Sequence, residues 1–283
     1  MTFDANEHRD ASLRGWEEAA PGWVARQALM RQFAAPVSHW MIEAISPQPG
    51  ETVLELAAGL GETGLLAAEL VAPNGEVIIS DQAQGMLDGA RERAEELGIK
   101  NVRFEEYGAE WIDRPVASTD AVLCRFGYML MADPLAALGE TRRVLRPGGR
   151  IALAVWDQIE SNPWAHASAL ELAERGLIDA QEGFRPGPFA LDDQKRLREL
   201  LQEAGFTDPR LDFLDLSQRH ASFADFWETM LDLSRSLHDA VLTRPEQEAL
   251  QIRDAIRKRL GAFTATDGTL EIPGRALLAT ASA

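Results

Sequence analysis

The sequence has only one cysteine, Cys124, among its 283 residues. One cysteine cannot form an internal disulfide or a cysteine cluster for zinc, and this composition is typical of a reducing compartment. The chain also lacks an apolar run of the roughly 18 to 20 residues that a membrane-spanning helix needs. Its polar start, MTFDANEHRD, has neither the basic nor the apolar region of a signal peptide. We therefore expect a soluble, cytoplasmic protein without disulfides.

Basic residues are few: 28 lysines and arginines stand against 45 aspartates and glutamates, which gives a formal net charge of -17 at pH 7. A surface of this sign repels phosphate backbones and anionic lipids. We therefore expect neither nucleic acid nor a membrane surface as the main partner. The five histidines show no metal-ligand spacing such as H-E-x-x-H, so we predict no metal site.

The remaining pattern is that of an α/β protein. Apolar residues at helical spacing predict helices in the first 45 residues, interrupted at Pro21-Gly22 and at Pro36. Short apolar runs then alternate with helical patterns, as in a parallel sheet covered by helices on both faces. The predicted strands are 52–56, 76–80, 102–105, 121–125 and 150–155, and the predicted helices between them are 63–70, 83–97 and 134–145.

The second half is more loosely organised. Helices are predicted at 165–175, 192–203, 223–237 and 245–260, and strands at 209–216 and 276–280. If these late strands pair, the helices between them form an excursion above the sheet. We expect a Rossmann-like, doubly wound sheet, mostly parallel with a late antiparallel strand. The expected division is a helical arm at 1–46 and one domain at 47–283, with helical insertions at about 157–190 and 217–272 forming a cap.

A glycine-rich turn follows the first predicted strand. Gly59, Gly61 and Gly64 match the dinucleotide pattern G-x-G-x-x-G, and Asp81 follows at the spacing of a carboxylate that binds a ribose hydroxyl. This turn is compatible with a nicotinamide cofactor. Glu55 argues against that hypothesis, because a second carboxylate is unfavourable beside a pyrophosphate and favourable beside a cationic ligand.

Further motifs occur in a fixed order along the chain. They are Glu55 to Gly61, Asp81 to Met86, Gly108 to Trp111, Thr119 to Phe126, and Arg143 to Arg150. Together they resemble the motifs of the class I S-adenosylmethionine-dependent methyltransferases, and most of all the ubiquinone and menaquinone biosynthesis-like group. The resemblance covers about residues 50–156 closely and 190–216 and 272–281 more loosely. It implies S-adenosylmethionine as cofactor and a small-molecule acceptor with an oxygen, nitrogen or carbon nucleophile.

The resemblance also assigns cofactor contacts to individual positions. These are Glu55, Ala57, Gly59, Gly61, Asp81, Gln82, Met86, Gly108, Ala109, Glu110 and Arg125. Two positions depart from the family pattern. Ala57 replaces a common glycine, which is harmless if its φ angle is negative. Gly108 replaces an aspartate that in many members binds the adenine amino group, so Glu110 or amides near Ala109 are expected to substitute.

Several candidates have simpler interpretations. Asp81 could cap a helix, Glu55 and Arg125 could form salt bridges, and Phe126 and Met129 could belong to the core. Trp156 is a candidate on the acceptor side, and Trp16 and Trp23 could close over the cofactor or pack in the core. The weak candidates for a catalytic group are Tyr128, Asp157, His166 and His220. The rival functions are an NAD-dependent oxidoreductase and a non-catalytic cofactor-binding protein on the same fold.

Overall fold

A computed structural model describes residues 3–178 and 185–283, and these form one mixed β-sheet with helices on both faces. The described strands are β1 (Thr52–Glu55), β2 (Glu76–Asp81), β3 (Val102–Glu106), β4 (Thr119–Arg125), β5 (Leu145–Trp156), β6 (Thr207–His220) and β7 (Leu270–Ser282). The described helices are α1 (Ala5–Ala25), α2 (Gln27–Ile45), α3 (Glu62–Val71), α4 (Gln84–Leu97), α5 (Pro134–Val144), α6 (Pro163–Glu174), α7 (Gln194–Glu203), α8 (Phe223–Leu233), α9 (Arg235–Leu242) and α10 (Glu246–Arg259).

The strand order across the sheet is β3-β2-β1-β4-β5-β7-β6. Strands β1 to β5 are parallel, and β7 is antiparallel to both of its neighbours, β5 and β6. The central strands are apolar runs because helices cover both of their faces. The predicted Rossmann-like sheet with a late antiparallel strand is therefore confirmed. Within the described ranges, every helix is too short or too polar to cross a membrane.

Strands β6 and β7 form a hairpin that is longer than the rest of the sheet. The last residue of β5, Trp156, pairs with Ala276, which in turn pairs with Leu214. Residues 215–220 and 270–275 therefore run past the end of β5, by about 20 Å at the usual rise per residue. Helices α8, α9 and α10 connect the far ends of the two strands.

The prediction that Pro21 and Pro36 interrupt the N-terminal helices is wrong. Pro21 lies inside α1 and Pro36 lies inside α2, and the chain breaks between them at Arg26. An internal proline costs about 3 kcal/mol of helix stability. Packing offsets this cost, because α2 buries Phe33, Val37 and other apolar residues against the sheet.

The helices above the sheet have a hydrophobic cluster of their own. Phe226, Ile252, Ile256 and Leu270 are buried in it, apart from the main core under α2 and α3. The sequence predicted one helix at 223–237, but α8 ends at Leu233 and α9 begins at Arg235.

Ion pairs join the N-terminal helices to α8. The guanidinium of Arg26 lies 2.7 Å from Asp232, 3.7 Å from Asp225 and 3.9 Å from Glu228. Helix α1 also approaches the backbone of α8 closely at Gly22, where a Cβ atom would lie 2.6 Å from the carbonyl oxygen of Asp232. Helix α1 and the junction at Arg26 are thus in direct contact with α8.

Candidate active site

The carboxyl ends of β2, β1, β4 and β5 lie side by side, and their registers place four side chains on one face of the sheet. Glu55 pairs with Ile79 of β2 and with Leu123 of β4. Arg125 pairs with Ala154 of β5. Paired residues of parallel strands, and residues two apart on one strand, share a face. The order across this edge, which we call the crevice, is therefore Asp81, Glu55, Arg125 and Trp156.

Glu55 lies at the base of the crevice and is 1% exposed. Its Oε2 accepts a hydrogen bond from the amide of Gly64 at 2.9 Å. A Cβ atom at Gly64 would lie 2.5 Å from that oxygen, so only glycine allows this contact. Burial raises the pKa of Glu55 to about 7, although the charge of Arg125 and the amide of Gly64 act in the opposite direction. Glu55 is therefore close to half ionised at neutral pH.

Asp81 holds the glycine turn to the end of β2. Its Oδ2 accepts from the amide of Gly59 at 2.8 Å, and its Oδ1 accepts from the amide of Ala83 at 3.0 Å. Burial raises the pKa of Asp81 above its usual range, and these amides oppose the shift. Each carboxylate oxygen has lone pairs left for further donors, so these bonds leave capacity for ribose hydroxyls.

Helix α1 crosses the same end of α4. The carboxylate of Glu17 accepts from the amides of Gln84 and Gly85, at 2.5 and 3.1 Å. The side chain of Gln82 donates to the hydroxyl of Ser12 at 3.0 Å. Glu17 thus caps the first turn of α4. Asp81, which could have been the cap of this helix, contributes only its bond to the amide of Ala83.

Aromatic residues of α1 cover the glycine turn from the same side. Trp16 and Trp23 contact each other edge to face, with ring centroids 5.7 Å apart. Both pack against a small cluster that contains Leu60 of the turn and Met86 of α4. The predicted contact position Met86 is therefore buried beneath α1.

The loop after β3 contains the expected adenine-contact positions. Glu110 binds Arg9 of α1 through two hydrogen bonds, of 2.7 and 3.2 Å, and also accepts from the amide of Asp133. Ala109 is buried. A Cβ atom at Gly108 would have no neighbour within 4 Å, so there is open space at the position where many family members have aspartate. Because Arg9 already binds its carboxylate, Glu110 is a poor substitute for that aspartate.

Ala57 was expected to be harmless if its φ angle is negative, and this condition is not met. Its φ angle is +48°, in the left-handed region that favours glycine. Its side chain faces Gly127, where a Cβ atom would lie 2.7 Å from that of Ala57 and 2.6 Å from the sulfur of Cys124. The turn is therefore strained at Ala57, and Gly127 supplies the space that the extra methyl group needs.

A row of aromatic side chains lines the β5 end of the crevice. Phe126 stacks on Trp156 with ring centroids 4.1 Å apart and an interplanar angle of 12°. Phe33 of α2 lies 5.8 Å from Trp156, and Trp164 of α6 meets it edge to face at 5.1 Å. Phe189 continues the row at 6.3 Å from Trp164. We call these five residues the aromatic row.

Phe126 reaches this position through an unusual backbone conformation. Simple alternation along the chain would send its side chain to the face opposite Arg125. Its φ angle of +62° turns the ring onto Trp156 instead. The left-handed conformation costs on the order of 1–2 kcal/mol for a residue with a Cβ atom, and strain of this kind concentrates at functional sites. The interpretation of Phe126 as a core residue is incomplete, because the ring remains partly exposed.

Arg125 is partly exposed at the floor of the crevice. Within residues 3–178 and 185–283, no hydrogen bond or ion pair within 4.0 Å joins its guanidinium to another group. Burial lowers the pKa of Arg125, and the carboxylates of Glu55 and Glu62 oppose that shift from a distance. The anticipated salt bridge is thus not formed.

The structure places two of the catalytic candidates outside the crevice. Tyr128 is fully buried, and its hydroxyl contacts that of Thr141 on α5 at 2.6 Å. Burial raises its pKa well above the usual value. Asp157 lies on the face opposite Trp156 and is 3.9 Å from the guanidinium of Arg275. Neither side chain is positioned for an acceptor on the Trp156 face.

The two histidine candidates belong to the helices above the sheet. His220 is fully buried at the far end of β6, about 20 Å beyond the level of Trp156, between Gln218 and Asp225. Burial lowers its pKa. His166 lines a cavity of about 330 Å³ whose other lining residues are Pro163, Ala167, Leu170, Arg259, Leu260 and Phe263. Neither histidine faces Glu55 or Asp81.

Sequence reasoning missed the polar contacts of α1. Arg9, Ser12 and Glu17 lie on one helical face and contact Glu110, Gln82 and Gln84 respectively. The spacing of these three residues in the sequence indicates only that they share one face of a helix. Nothing in the sequence identifies partners that lie 70 to 100 residues further along the chain.

The sheet order, the glycine turn and the acidic residue that ends β2 define the class I S-adenosylmethionine-dependent methyltransferases. The chain matches the family model described as "Methyltransferase domain" over residues 47–205. It therefore belongs to this family of enzymes, whose cofactor is S-adenosylmethionine.

Relatives of known sequence and structure agree with this assignment. The chain is 30% identical over 256 residues to an uncharacterized 37.1 kDa protein in transposon TN4556 of Streptomyces fradiae, which covers 84% of this chain and 68% of that protein. It is also 30% identical over 179 residues to the ubiquinone/menaquinone biosynthesis C-methyltransferase UbiE of Escherichia coli, over 58% of this chain and 70% of that one. The YcgJ protein from Bacillus subtilis shares the fold, with a TM-score of 0.57, 19% identity and coverage of 87% and 97%.

Proposed function

We propose that the chain transfers a methyl group from S-adenosylmethionine to a small-molecule acceptor that lies against the aromatic row. The observation that carries this proposal is the order of side chains along the crevice. Carboxylates occupy its β2 and β1 positions, and Trp156 with its stacked aromatic partners occupies the β5 position. One end suits a cofactor with hydroxyls and positive charge, and the other suits an apolar, planar acceptor.

The chemistry of the side chains fits S-adenosylmethionine. Asp81 would accept hydrogen bonds from the ribose hydroxyls, and Glu55 would lie near the amino group and sulfonium of the methionine moiety. Gly59 and Gly61 let the backbone of the turn approach the cofactor closely. Gln82, Met86, Gly108 and Ala109 would surround the adenosine, with Ala57 in the turn beside it. Glu110 contributes indirectly, because it binds Arg9 and so positions α1.

Positioning would supply most of the rate acceleration. The cofactor provides a sulfonium whose methyl group is electrophilic, and its displacement requires nucleophile, methyl carbon and sulfur in line. The aromatic row would hold the acceptor plane and exclude water from it. A general base is required only if the acceptor must lose a proton. Because Tyr128 and His220 are buried away from the crevice, we assign no catalytic base to either.

We also propose separate roles for the N-terminal arm, the main domain and its helical insertions. Residues 1–46 form an arm whose helix α1 lies over the cofactor side, where Glu17 and Arg9 contact the main domain, 47–283, while its helix α2 packs against the sheet. Helical insertions at about 157–190 and 217–272 form a cap over the acceptor side; residues 179–184 of the first insertion lie outside the described residues. We propose a reducing, cytoplasmic setting because the sequence has one cysteine, Cys124, and its thiol is buried and free.

The family assignment decides against the nicotinamide hypothesis. The crevice supports this conclusion, because a pyrophosphate beside the turn would face the carboxylates of both Glu55 and Asp81. A non-catalytic binding protein would require a crevice too closed for an acceptor. The partly exposed Phe126 and Arg125 favour an accessible acceptor side instead.

Calorimetric titration with S-adenosylmethionine, S-adenosylhomocysteine and NADH tests the proposal. Micromolar binding of both adenosyl ligands and none of NADH is expected. Asp81→Ala should weaken that binding at least tenfold, whereas Asp113→Ala, which removes an exposed carboxylate, should not change it. Conversion of S-adenosylmethionine to S-adenosylhomocysteine with a panel of small aromatic acceptors then tests catalysis. NADH binding without adenosyl binding would refute the proposal.

A further inference from the structure

We infer that Arg125 is the specificity residue of the acceptor subsite and binds a carboxylate carried by a planar, apolar acceptor. This inference rests on the proposed function, because it assigns the acceptor class of the same crevice. It also revises the expectation that Arg125 contacts the cofactor.

The first argument is that Arg125 lacks a counter-ion. It lies on the floor of the crevice, and its guanidinium has no hydrogen bond or ion pair within 4.0 Å in the part of the chain that the structure describes. A partly buried guanidinium without a protein acceptor has donors free for a ligand, and a bidentate carboxylate suits its planar fork of donors. Glu55 does not fill this role, because its carboxylate acts on Arg125 only from a distance and forms no ion pair with it within 4.0 Å.

The second argument is the position of Arg125 across the sheet. Arg125 pairs with Ala154, two residues before Trp156, so the aromatic row begins on the strand next to that of Arg125. Asp81, which we assign to the ribose, lies two strands away on the other side. Neighbouring strands are about 4.8 Å apart. A ligand group bound to Arg125 is therefore adjacent to an aromatic body packed against the partly exposed ring of Phe126, which covers Trp156.

The third argument is the charge balance of a loaded crevice. S-adenosylmethionine has one net positive charge and Arg125 adds another, and burial raises the pKa of Glu55 and so disfavours its charged form. An acceptor carboxylate would offset the second charge in a partly desolvated space. The carboxylate here is an anchor and not the methyl-accepting atom, because a bidentate bond to arginine would lower the reactivity of its oxygens.

The test compares 2-naphthoate with its neutral analogue 2-naphthamide. Both are titrated calorimetrically into protein saturated with S-adenosylhomocysteine, using wild type, Arg125→Gln, Arg125→Lys and Arg103→Gln. Arg103 lies on β3 and is exposed, so its variant controls for the loss of one positive charge. Binding of 5′-methylthioadenosine to each variant is measured first and serves as the control for folding.

Wild type and Arg103→Gln should bind naphthoate about tenfold or more tightly than naphthamide, as a charge-assisted pair predicts. Arg125→Gln should abolish this preference while leaving naphthamide and S-adenosylhomocysteine affinity unchanged, and Arg125→Lys should retain part of it. If wild type binds the two probes equally, or binds neither, the inference about Arg125 is refuted and the proposed function is not.

The carboxylate of the cofactor is the competing partner for Arg125. If Arg125→Gln weakens S-adenosylhomocysteine but not 5′-methylthioadenosine, which lacks the amino-acid portion, Arg125 binds the methionine carboxylate and the inference is refuted. Failure of wild type to bind S-adenosylhomocysteine at all would instead refute the proposed function, and the inference with it.

Discussion

The carboxylate of Glu17 in α1 accepts a hydrogen bond from the backbone amide of Gln84, the first residue of α4, at 2.5 Å. A second bond of 3.1 Å, to the amide of Gly85, completes the cap. The N-terminal helix thus supplies the capping group of a helix that begins just after Asp81. This contact links the movement of α1 to the geometry of the cofactor side.

Glu17→Ala should accelerate the dissociation of S-adenosylhomocysteine about three- to tenfold. The substitution removes a helix cap, which contributes about 1 kcal/mol, and it loosens α1 over Leu60 and Met86. Stopped-flow tryptophan fluorescence would measure the rate, since Trp16 and Trp23 lie beside the turn. Asp10→Ala removes an exposed carboxylate of the same helix and should leave the rate unchanged. Equal rates for wild type and Glu17→Ala would contradict a role for α1 in cofactor retention.

Glu55 should make the protein less stable at higher pH. Its pKa is about 7 in the folded state, against 4.5 for an ordinary glutamate. Between these values the folded state binds more protons than the unfolded state, so the free energy of unfolding falls as the pH rises from about 4.5 to about 7. The loss is on the order of 2–3 kcal/mol.

Glu55→Gln cannot titrate but keeps an oxygen for the amide of Gly64. Urea denaturation at pH 5 and pH 8 should therefore show a smaller loss of stability for this variant than for wild type. Glu69→Gln, an exposed change on α3, should behave like wild type. If Glu55→Gln lost as much stability as wild type over this interval, Glu55 would not be the titrating group.

Ala57→Gly should stabilise the protein by about 0.5–1 kcal/mol. Glycine adopts the φ angle of +48° without a Cβ clash, and this gain exceeds its larger entropy loss on folding. Gly127→Ala should destabilise by about 1–3 kcal/mol, because its Cβ atom would collide with Ala57 and Cys124.

Urea denaturation of both single variants and of the double variant would separate the two contacts. The double variant should recover only part of the loss, since the contact with the sulfur of Cys124 remains. Full additivity of the two changes would show that Ala57 and Gly127 do not interact.

Gly108→Asp should raise the affinity for S-adenosylhomocysteine about three- to tenfold. Many family members have an aspartate here that binds the adenine amino group, and a Cβ atom at Gly108 meets no neighbour within 4 Å. The net contribution of one hydrogen bond, about 1 kcal/mol, supplies a gain of this size. Gly108→Ala serves as the control in calorimetric titrations and should leave the affinity unchanged. An equal effect of both substitutions would place the adenine elsewhere.

Phe126→Gly should weaken the binding of 2-naphthamide about five- to tenfold and leave S-adenosylhomocysteine affinity unchanged. The variant loses the ring that stacks on Trp156, but glycine tolerates the φ angle of +62°, so the turn keeps its conformation. Calorimetry with both ligands measures the two affinities. Unchanged naphthamide binding would show that the acceptor does not contact this ring.

The sequence predicted the parts of the site that depend on local order along the chain. Glu55 and Asp81 were identifiable because each ends an apolar run before a turn or helix. The conformation of Phe126 was not, because its ring is turned by packing on Trp156, which lies 30 residues further along the chain. The prediction of helix breaks at Pro21 and Pro36 failed for a related reason. Local propensity predicts breaks at proline, but tertiary packing keeps both helices continuous.

The hairpin of β6 and β7 separates two structural constraints on this chain. Its lower half belongs to the sheet, and its upper half carries α8, α9 and α10 between His220 and Leu270. Residues inserted, deleted or replaced between those two points leave the pairing of β5 with β7 in register. The helices above the sheet can therefore change in length or sequence while the edge formed by Asp81 and Glu55 keeps its geometry.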